Sequence, residues 1–166
     1  MIKIIAVDDE PAFGELLSIY LEGFGDFEIT AYTSPEDAID KIIAGEADAV
    51  ITDYRMEDMD GITLIRKVKA LVPDIPFVLL TGQDEKEVIL NAMNAGADFI
   101  QFKTEEPARL FTDIAQKITN SVEKYRARKE SEEGSRTREI LMRAQRDLME
   151  RLSVASTSNQ ALDATL

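Results

Sequence analysis

The 166-residue chain contains neither cysteine nor histidine. Their absence excludes disulfides, thiolate nucleophiles, zinc sites built from these ligands and base catalysis by imidazole. No apolar run approaches the ~20 residues that span a bilayer. The opening, MIKIIAVDDE, lacks the apolar stretch and small-residue cleavage site of a signal peptide, and it predicts a first strand instead. We therefore expect a cytoplasmic protein with no membrane partner.

Charge is distributed unevenly along the chain. Residues 1–124 hold 25 acidic and 11 basic side chains, whereas residues 125–166 hold 7 acidic and 8 basic ones. Nucleic-acid binding needs clustered Lys and Arg to contact phosphates. Direct nucleic-acid binding by the acidic part is therefore not expected.

Short β-rich runs alternate with helical patterns through residues 1–124, which predicts an α/β fold with a parallel sheet covered on both faces. The first, third and fourth runs are almost continuously apolar, as in central strands, whereas the mixed EITAY suits an edge. The predicted strands are Ile2–Val7, Glu28–Tyr32, Ala49–Thr52, Phe77–Thr81 and Phe99–Phe102.

The helices of this region have start and stop signals. Prolines open two helices, at Pro11 and, after the N-cap Ser34, at Pro35. A third follows Gly61, and Asp84 is predicted to cap a fourth. The fifth helix is expected to begin near Glu106, and five alternating units predict a doubly wound fold with right-handed crossovers.

Residues 125–166 form a predicted helical or partly disordered linker or signalling tail. Leu141, Leu148 and Ala155 recur at intervals of seven, with Gln145 and Leu152 between them. That makes about two heptads of a narrow seam, too few for a firm coiled-coil assignment. Gly134 and Ser135 are expected to interrupt or loosen the helix.

Chemically active side chains follow four of the predicted strands. Asp8 and Asp9 follow the first, Asp53 the third, Thr81 ends the fourth, and Lys103 follows the fifth. In open α/β sheets the ligand crevice lies outside the carboxyl ends of the strands. Asp53 there can be a metal ligand, a general base or a nucleophile that forms an acyl phosphate.

The adjacent carboxylates of Asp8 and Asp9 favour a metal site. No Lys or Arg follows them before Lys41, so nearby basic groups do not neutralise both. Mg²⁺ takes one or two carboxylates directly and keeps waters and a phosphate oxygen. Lys103 can pair with a carboxylate or with a phosphoryl group, and Thr81 offers a hydroxyl to phosphoryl oxygens.

With these residues the chain resembles the receiver domain of two-component response regulators over residues 1–124. The resemblance implies a flavodoxin-like sheet of five parallel strands in the order 2-1-3-4-5. It rests on Lys103 and on four motifs, which are VDDE at 7–10, ITDYRMEDMDG at 51–61, LLTG at 79–82 and NAGADF at 94–99.

The resemblance also implies a role for each site residue. Asp53 would accept a phosphoryl group from a phosphohistidine on a sensor histidine kinase. Mg²⁺ would be held by Asp8, Asp9, Asp53 and the backbone carbonyl of Arg55, while Thr81 and Lys103 would contact the phosphoryl group. Such a protein is not a conventional enzyme, although it assists its own phosphorylation and dephosphorylation.

The chain departs from the family pattern in three places. Glu57 and Asp58 replace the usual Pro-Gly, and Thr104 replaces the proline after the lysine, so no cis-proline turn is expected. Ile100 occupies the position of the aromatic ring that usually moves inward together with the threonine. Its neighbour Phe99 is predicted on the opposite sheet face. The usual switch between Thr and an aromatic ring is therefore in doubt, whereas phosphoryl binding is not.

Other functions remain open from the sequence. Output is expected through protein contacts, including a homodimer formed by helices four and five or by the tail. The alternatives are a DNA-binding regulator acting through its tail or a missing domain, a pseudo-receiver that works without phosphorylation, and a Mg²⁺-dependent phosphohydrolase of the haloacid-dehalogenase type. The last type needs its nucleophile on the first strand and a second Asp two residues later, where this chain has Glu10.

Overall fold

The fold is an α/β structure built on one five-stranded parallel sheet. The computed structural model describes residues 1–82, 86–103 and 106–163, with side chains described as far as residue 152. The strands have the order β2-β1-β3-β4-β5, which confirms the predicted topology. The elements are β1 Ile2–Val7, α1 Pro11–Phe24, β2 Phe27–Tyr32, α2 Pro35–Ile43, β3 Ala49–Asp53, α3 Gly61–Lys69, β4 Phe77–Thr81, α4 Lys86–Ala95, β5 Phe99–Phe102 and α5 Pro107–Asp163.

The helices begin at the expected capping signals. Pro11 lies in the first turn of α1, where its missing N–H costs no hydrogen bond. The Ser34 hydroxyl accepts a hydrogen bond from the Asp37 N–H at 3.3 Å. The Asp60 carboxylate accepts one from the Thr63 N–H at 2.7 Å. These caps satisfy donors that the first helical turn leaves free, and they fix where α2 and α3 start.

Two apolar cores cover the two faces of the sheet. On the first face, residues such as Ile5, Val50 and Leu79 pack with α2, α3 and α4. On the second face, alternate strand residues such as Ile4 and Ile51 pack with α1 and the first part of α5. Successive strand residues point to opposite faces of the sheet, so strands made almost entirely of apolar residues contribute side chains to both cores.

Several predicted boundaries differ from the observed ones. Asp53 belongs to β3, since it pairs with Leu80 in the parallel ladder. The predicted end at Thr52 was therefore one residue short, because a polar side chain at a strand end does not stop backbone pairing. Strand β2 begins at Phe27, one residue before the predicted start at Glu28. The predicted Asp84 cap lies outside the described residues.

The chain divides into two compact units, Met1–Tyr125 and Arg126–Leu166. The expected helix break at Gly134 and Ser135 is wrong, because α5 is helical through both residues. A glycine inside a helix costs only about 1 kcal/mol relative to alanine, and the strong helix formers on either side offset that cost. Among the described helices, none has an apolar stretch long enough to cross a membrane.

Gly14 lies where α1 approaches β2 most closely, and we predict that Gly14→Ala destabilises the fold. A Cβ at Gly14 would lie 2.5 Å from the Ala31 Cβ, whereas one at Gly23 in the same helix meets nothing within 4 Å. In urea unfolding, Gly14→Ala should lose about 1–3 kcal/mol through overpacking. Gly23→Ala should gain about 0.5–1 kcal/mol from helix propensity. Equal stabilities of the two variants would contradict this close packing.

Candidate functional site

The site lies at the carboxyl edge of the sheet. Asp8 follows β1, Asp53 ends β3, Thr81 ends β4 and Lys103 follows β5. These four strands are consecutive neighbours in a parallel sheet, so their carboxyl ends meet on one edge. The structure therefore brings the predicted site residues of distant sequence segments to one place.

Three carboxylates form the acidic part of the site. One oxygen from each of Asp8, Asp9 and Asp53 can be chosen so that all three lie within 4.8 Å of one another. The Asp8 and Asp53 side chains are largely buried, with 4% and 11% of their surface exposed, whereas the Asp9 side chain is exposed. Oxygen ligands at this spacing, with partial access to solvent, suit a hard divalent cation.

Lys103 provides the positive charge within this cluster. Its Nζ lies 2.8 Å from Asp53 Oδ1 and 3.3 Å from Asp8 Oδ2, and the side chain is 33% exposed. Asp8 and Asp9 lack basic neighbours in sequence, but the fold brings an ammonium group to Asp8 from 95 residues away. One ammonium group among three carboxylates still leaves a formal negative charge at this edge.

Burial and neighbouring charges together raise the pKa values of both Asp8 and Lys103, which disfavours the charged form of Asp8 and favours that of Lys103. Desolvation raises the pKa of Asp8 above its ordinary value, and the negative charge of Asp53 raises it further. The hydrogen bond from the Glu10 N–H and the positive charge of Lys103 lower this pKa but do not outweigh desolvation. For Lys103, burial by itself would lower the pKa. The hydrogen bond and charge of Asp53, followed by those of Asp8, outweigh burial and raise that pKa. Asp8 therefore bears its charge at a cost, whereas Lys103 is held firmly protonated.

The loop between β3 and α3 is fitted tightly against the site. The Gly61 N–H donates to the Tyr54 carbonyl at 2.9 Å. A Cβ on Gly61 would lie 2.2 Å from the Asp53 carbonyl oxygen, so only glycine fits there without a shift of the backbone. The Glu57 N–H donates to the Asp9 carboxylate at 3.2 Å. This bond ties the loop to the acidic cluster.

Thr81 and Arg55 occupy the remaining predicted positions. Thr81 is 1% exposed, and its carbonyl accepts a hydrogen bond from the Lys103 N–H at 2.9 Å. Arg55 is an exposed residue two positions after Asp53, in the loop that precedes α3. The role of its carbonyl as a metal ligand stays a prediction, as do the roles of the other site residues.

The strand position that departs from the family pattern faces the first core. Ile100 pairs with Leu79 and packs against the core on the side of α2, α3 and α4. Phe99 packs on the other side, with α1 and α5. Thr104 lies outside the described residues. An aliphatic side chain therefore occupies the position where the family usually has a ring.

Sequence reasoning missed an aromatic contact beside the site. Lys103 Nζ lies 4.7 Å from the centre of the Phe13 ring. Phe13 belongs to the apolar pattern of α1, and that pattern predicts a core residue. Nothing in the sequence distinguishes a core phenylalanine from one that lies under an ammonium group, because the contact joins α1 to a residue 90 positions away.

Comparison with known proteins identifies the family of the chain. Residues 4–115 match the response regulator receiver domain. The transcriptional regulatory protein ZraR of Salmonella typhimurium is 36% identical over 96 residues, which cover 58% of this chain and 22% of ZraR. The response regulator protein VraR of Staphylococcus saprophyticus is 32% identical over 118 residues, covering 70% of this chain and 54% of VraR. The chain thus spans about a fifth to a half of these relatives.

Solved structures show the same architecture. A response regulator receiver domain protein from Clostridium thermocellum aligns with a TM-score of 0.68 and 24% identity, covering 76% of this chain and 98% of that one. A CheY-like receiver domain protein from Methanospirillum hungatei JF-1 aligns with a TM-score of 0.66 and 26% identity, covering 75% and 98%. The family match over residues 4–115 and the architecture shared with these solved structures point to the same family. The chain therefore belongs to the response regulator receiver domain family.

Proposed function

We propose that the chain is a phosphorylation-dependent response regulator in which Asp53 accepts a phosphoryl group from a phosphohistidine of a sensor histidine kinase. One observation carries this proposal. The Asp53 carboxylate lies beside the carboxylates of Asp8 and Asp9 and 2.8 Å from the Lys103 ammonium. A nucleophile, a cation site and a fixed positive charge in one place are the parts that phosphoryl transfer requires.

Transfer follows an in-line displacement. An oxygen of Asp53 attacks phosphorus, a P–O bond forms, and the P–N bond to the kinase histidine breaks. Lys103 then moves a short distance from the Asp53 carboxylate to an equatorial phosphoryl oxygen. The Thr81 hydroxyl, which lies at the end of the next strand, donates to another of these oxygens.

The carboxylates of Asp8, Asp9 and Asp53, together with the Arg55 carbonyl, would hold Mg²⁺. The spacing of the three carboxylates supports this assignment, as does the negative charge that Lys103 leaves uncompensated. When bound, the divalent cation neutralises charge on the transferring phosphoryl group. Hydrolysis of the acyl phosphate at the same site resets the protein.

The phosphorylation signal is passed on through contacts with proteins, and the contact that we favour is a homodimer. Three leucines in the second unit, Leu141, Leu148 and Leu152, are about 60% exposed at heptad spacing. Helix α4 offers a second apolar surface through Leu90 and Met93, which are also exposed. We favour the leucine seam because its spacing matches a two-stranded coiled coil.

Transcriptional regulation is a second candidate output. The relative ZraR is named as a transcriptional regulatory protein. Residues 125–166 carry nearly equal numbers of acidic and basic groups, so they lack the basic surplus that phosphate contacts require. Control of transcription would then act through contacts with another protein or domain.

Asp53→Asn should abolish phosphorylation. Incubation with phosphoramidate and Mg²⁺ should label the unchanged chain at close to one phosphoryl group per molecule, as measured by intact mass spectrometry. The variant should show background labelling only, because an amide does not form an acyl phosphate. Asp58→Asn in the following loop removes an exposed acid of the same type and should label normally. Undiminished labelling of Asp53→Asn would refute the assignment.

The leucine seam should support self-association. Light scattering coupled to size exclusion should show a dimer for the unchanged chain, and a monomer when Leu141 and Leu148 are both changed to lysine. The matched control changes Met142 and Met149 to lysine, because these two residues are also seven apart and about as exposed as the leucines but lie about 100° away around the helix. This control should remain dimeric. A monomeric unchanged chain at tens of micromolar, or equal loss in the control, would contradict the seam.

A further inference from the structure

We propose that Phe13 is a positioning residue, whose ring holds the Lys103 ammonium in place for phosphoryl transfer to Asp53. This inference rests on the proposed function. It concerns a contact between α1 and the residue after β5 that no motif in the sequence signals.

Lys103 has two kinds of partner. The carboxylates of Asp53 and Asp8 lie 2.8 and 3.3 Å from its Nζ. The centre of the Phe13 ring lies 4.7 Å from the same atom. A cation within about 6 Å of a ring centre is attracted by the negative face of the ring. Both kinds of partner therefore attract the Lys103 ammonium.

A ring suits this role better than a further carboxylate. An ammonium group has three N–H donors and no acceptor. Asp53 and Asp8 already accept hydrogen bonds from it, whereas the ring attracts the charge through its face and competes for none of the incoming phosphoryl oxygens. When Asp53 becomes an acyl phosphate, its oxygens lose their full charge, and Lys103 must turn to the phosphoryl group. The ring, like the Asp8 carboxylate, is chemically unchanged by this exchange.

Neighbouring rings fix Phe13. Its ring lies 6.3 Å from that of Phe111 in α5, tilted by 40°. Phe111 is 2% exposed and stacks on Tyr20 with ring centres 4.7 Å apart and 20° between their planes. Phe13 also lies in the first turn of α1, where its N–H donates to the Glu10 carbonyl at 3.1 Å. A ring supported by a packed neighbour has little freedom to move away from the ammonium.

Three variants measure this role through the rate of labelling by phosphoramidate with Mg²⁺. Phe13→Leu, which keeps an apolar side chain but removes the ring, should label about three- to tenfold more slowly than the unchanged chain. Phe13→Tyr keeps the ring face and should stay within about twofold of it. Phe24→Leu makes the same change at an exposed position of the same helix and should leave the rate unchanged.

A double-mutant cycle shows whether Phe13 acts through Lys103. When Lys103 is already methionine, adding Phe13→Leu should change the rate by less than about 1.5-fold, because the ring no longer has a cation to hold. A full effect of Phe13→Leu in that background would overturn the proposal, since the ring would then act on another part of the site. So would a rate for Phe13→Leu equal to that of the unchanged chain.

A measurement without phosphate separates this inference from the proposed function. The Lys103 methylene protons nearest Nζ should show an NMR shift caused by the Phe13 ring, which is lost in Phe13→Leu and kept in Phe13→Tyr. If the unchanged chain takes no label, the proposed function fails while this spectrum still tests the contact. A Lys103 signal that is identical in Phe13→Leu and the unchanged chain would overturn the contact itself.

Discussion

At the carboxyl edge of the sheet the Lys103 ammonium pairs with two of three clustered carboxylates, and the proposed chemistry depends on the negative charge that this pairing leaves. Asp8 and Asp9 follow β1 and Asp53 ends β3, so the parallel strands bring all three carboxylates to the same edge of the sheet. Burial raises the pKa of Asp8, so the site holds negative charge at a cost in stability. In the proposed function a divalent cation would offset this cost, and Lys103 would already lie beside the incoming phosphoryl group.

Most of the fold follows from local patterns in the sequence. The apolar runs IKIIAV and FVLLT predict buried strands, and caps such as Ser34 and Asp60 mark the helix starts. The right-handed crossover rule then leaves few ways to arrange five alternating units. The errors come from single residues whose own preference for ending a helix or strand is outweighed by the residues around them. Gly134 lies within a continuous helix, and Asp53 remains paired in its strand.

The site was predictable in its composition but not in its contacts. Knowing which residues end the strands is enough to gather Asp8, Asp53 and Lys103, because strand ends share an edge. The contact of Lys103 with the Phe13 ring depends on how side chains pack across the sheet. The tie between Asp9 and the Glu57 N–H depends on the path of a loop. Neither leaves a pattern of spacing in the sequence, so neither was available before the structure.

A crystal structure with Mg²⁺ and beryllofluoride, a mimic of the phosphoryl group, is the sharpest test of whether Asp53 accepts a phosphoryl group at this site. We expect the ion on the carboxylates of Asp8, Asp9 and Asp53, and beryllofluoride joined to Asp53 with a fluorine within hydrogen-bond distance of Lys103 Nζ. A structure with the ion and the mimic bound at separate places, or with Asp53 unmodified while another carboxylate carries the mimic, would contradict it.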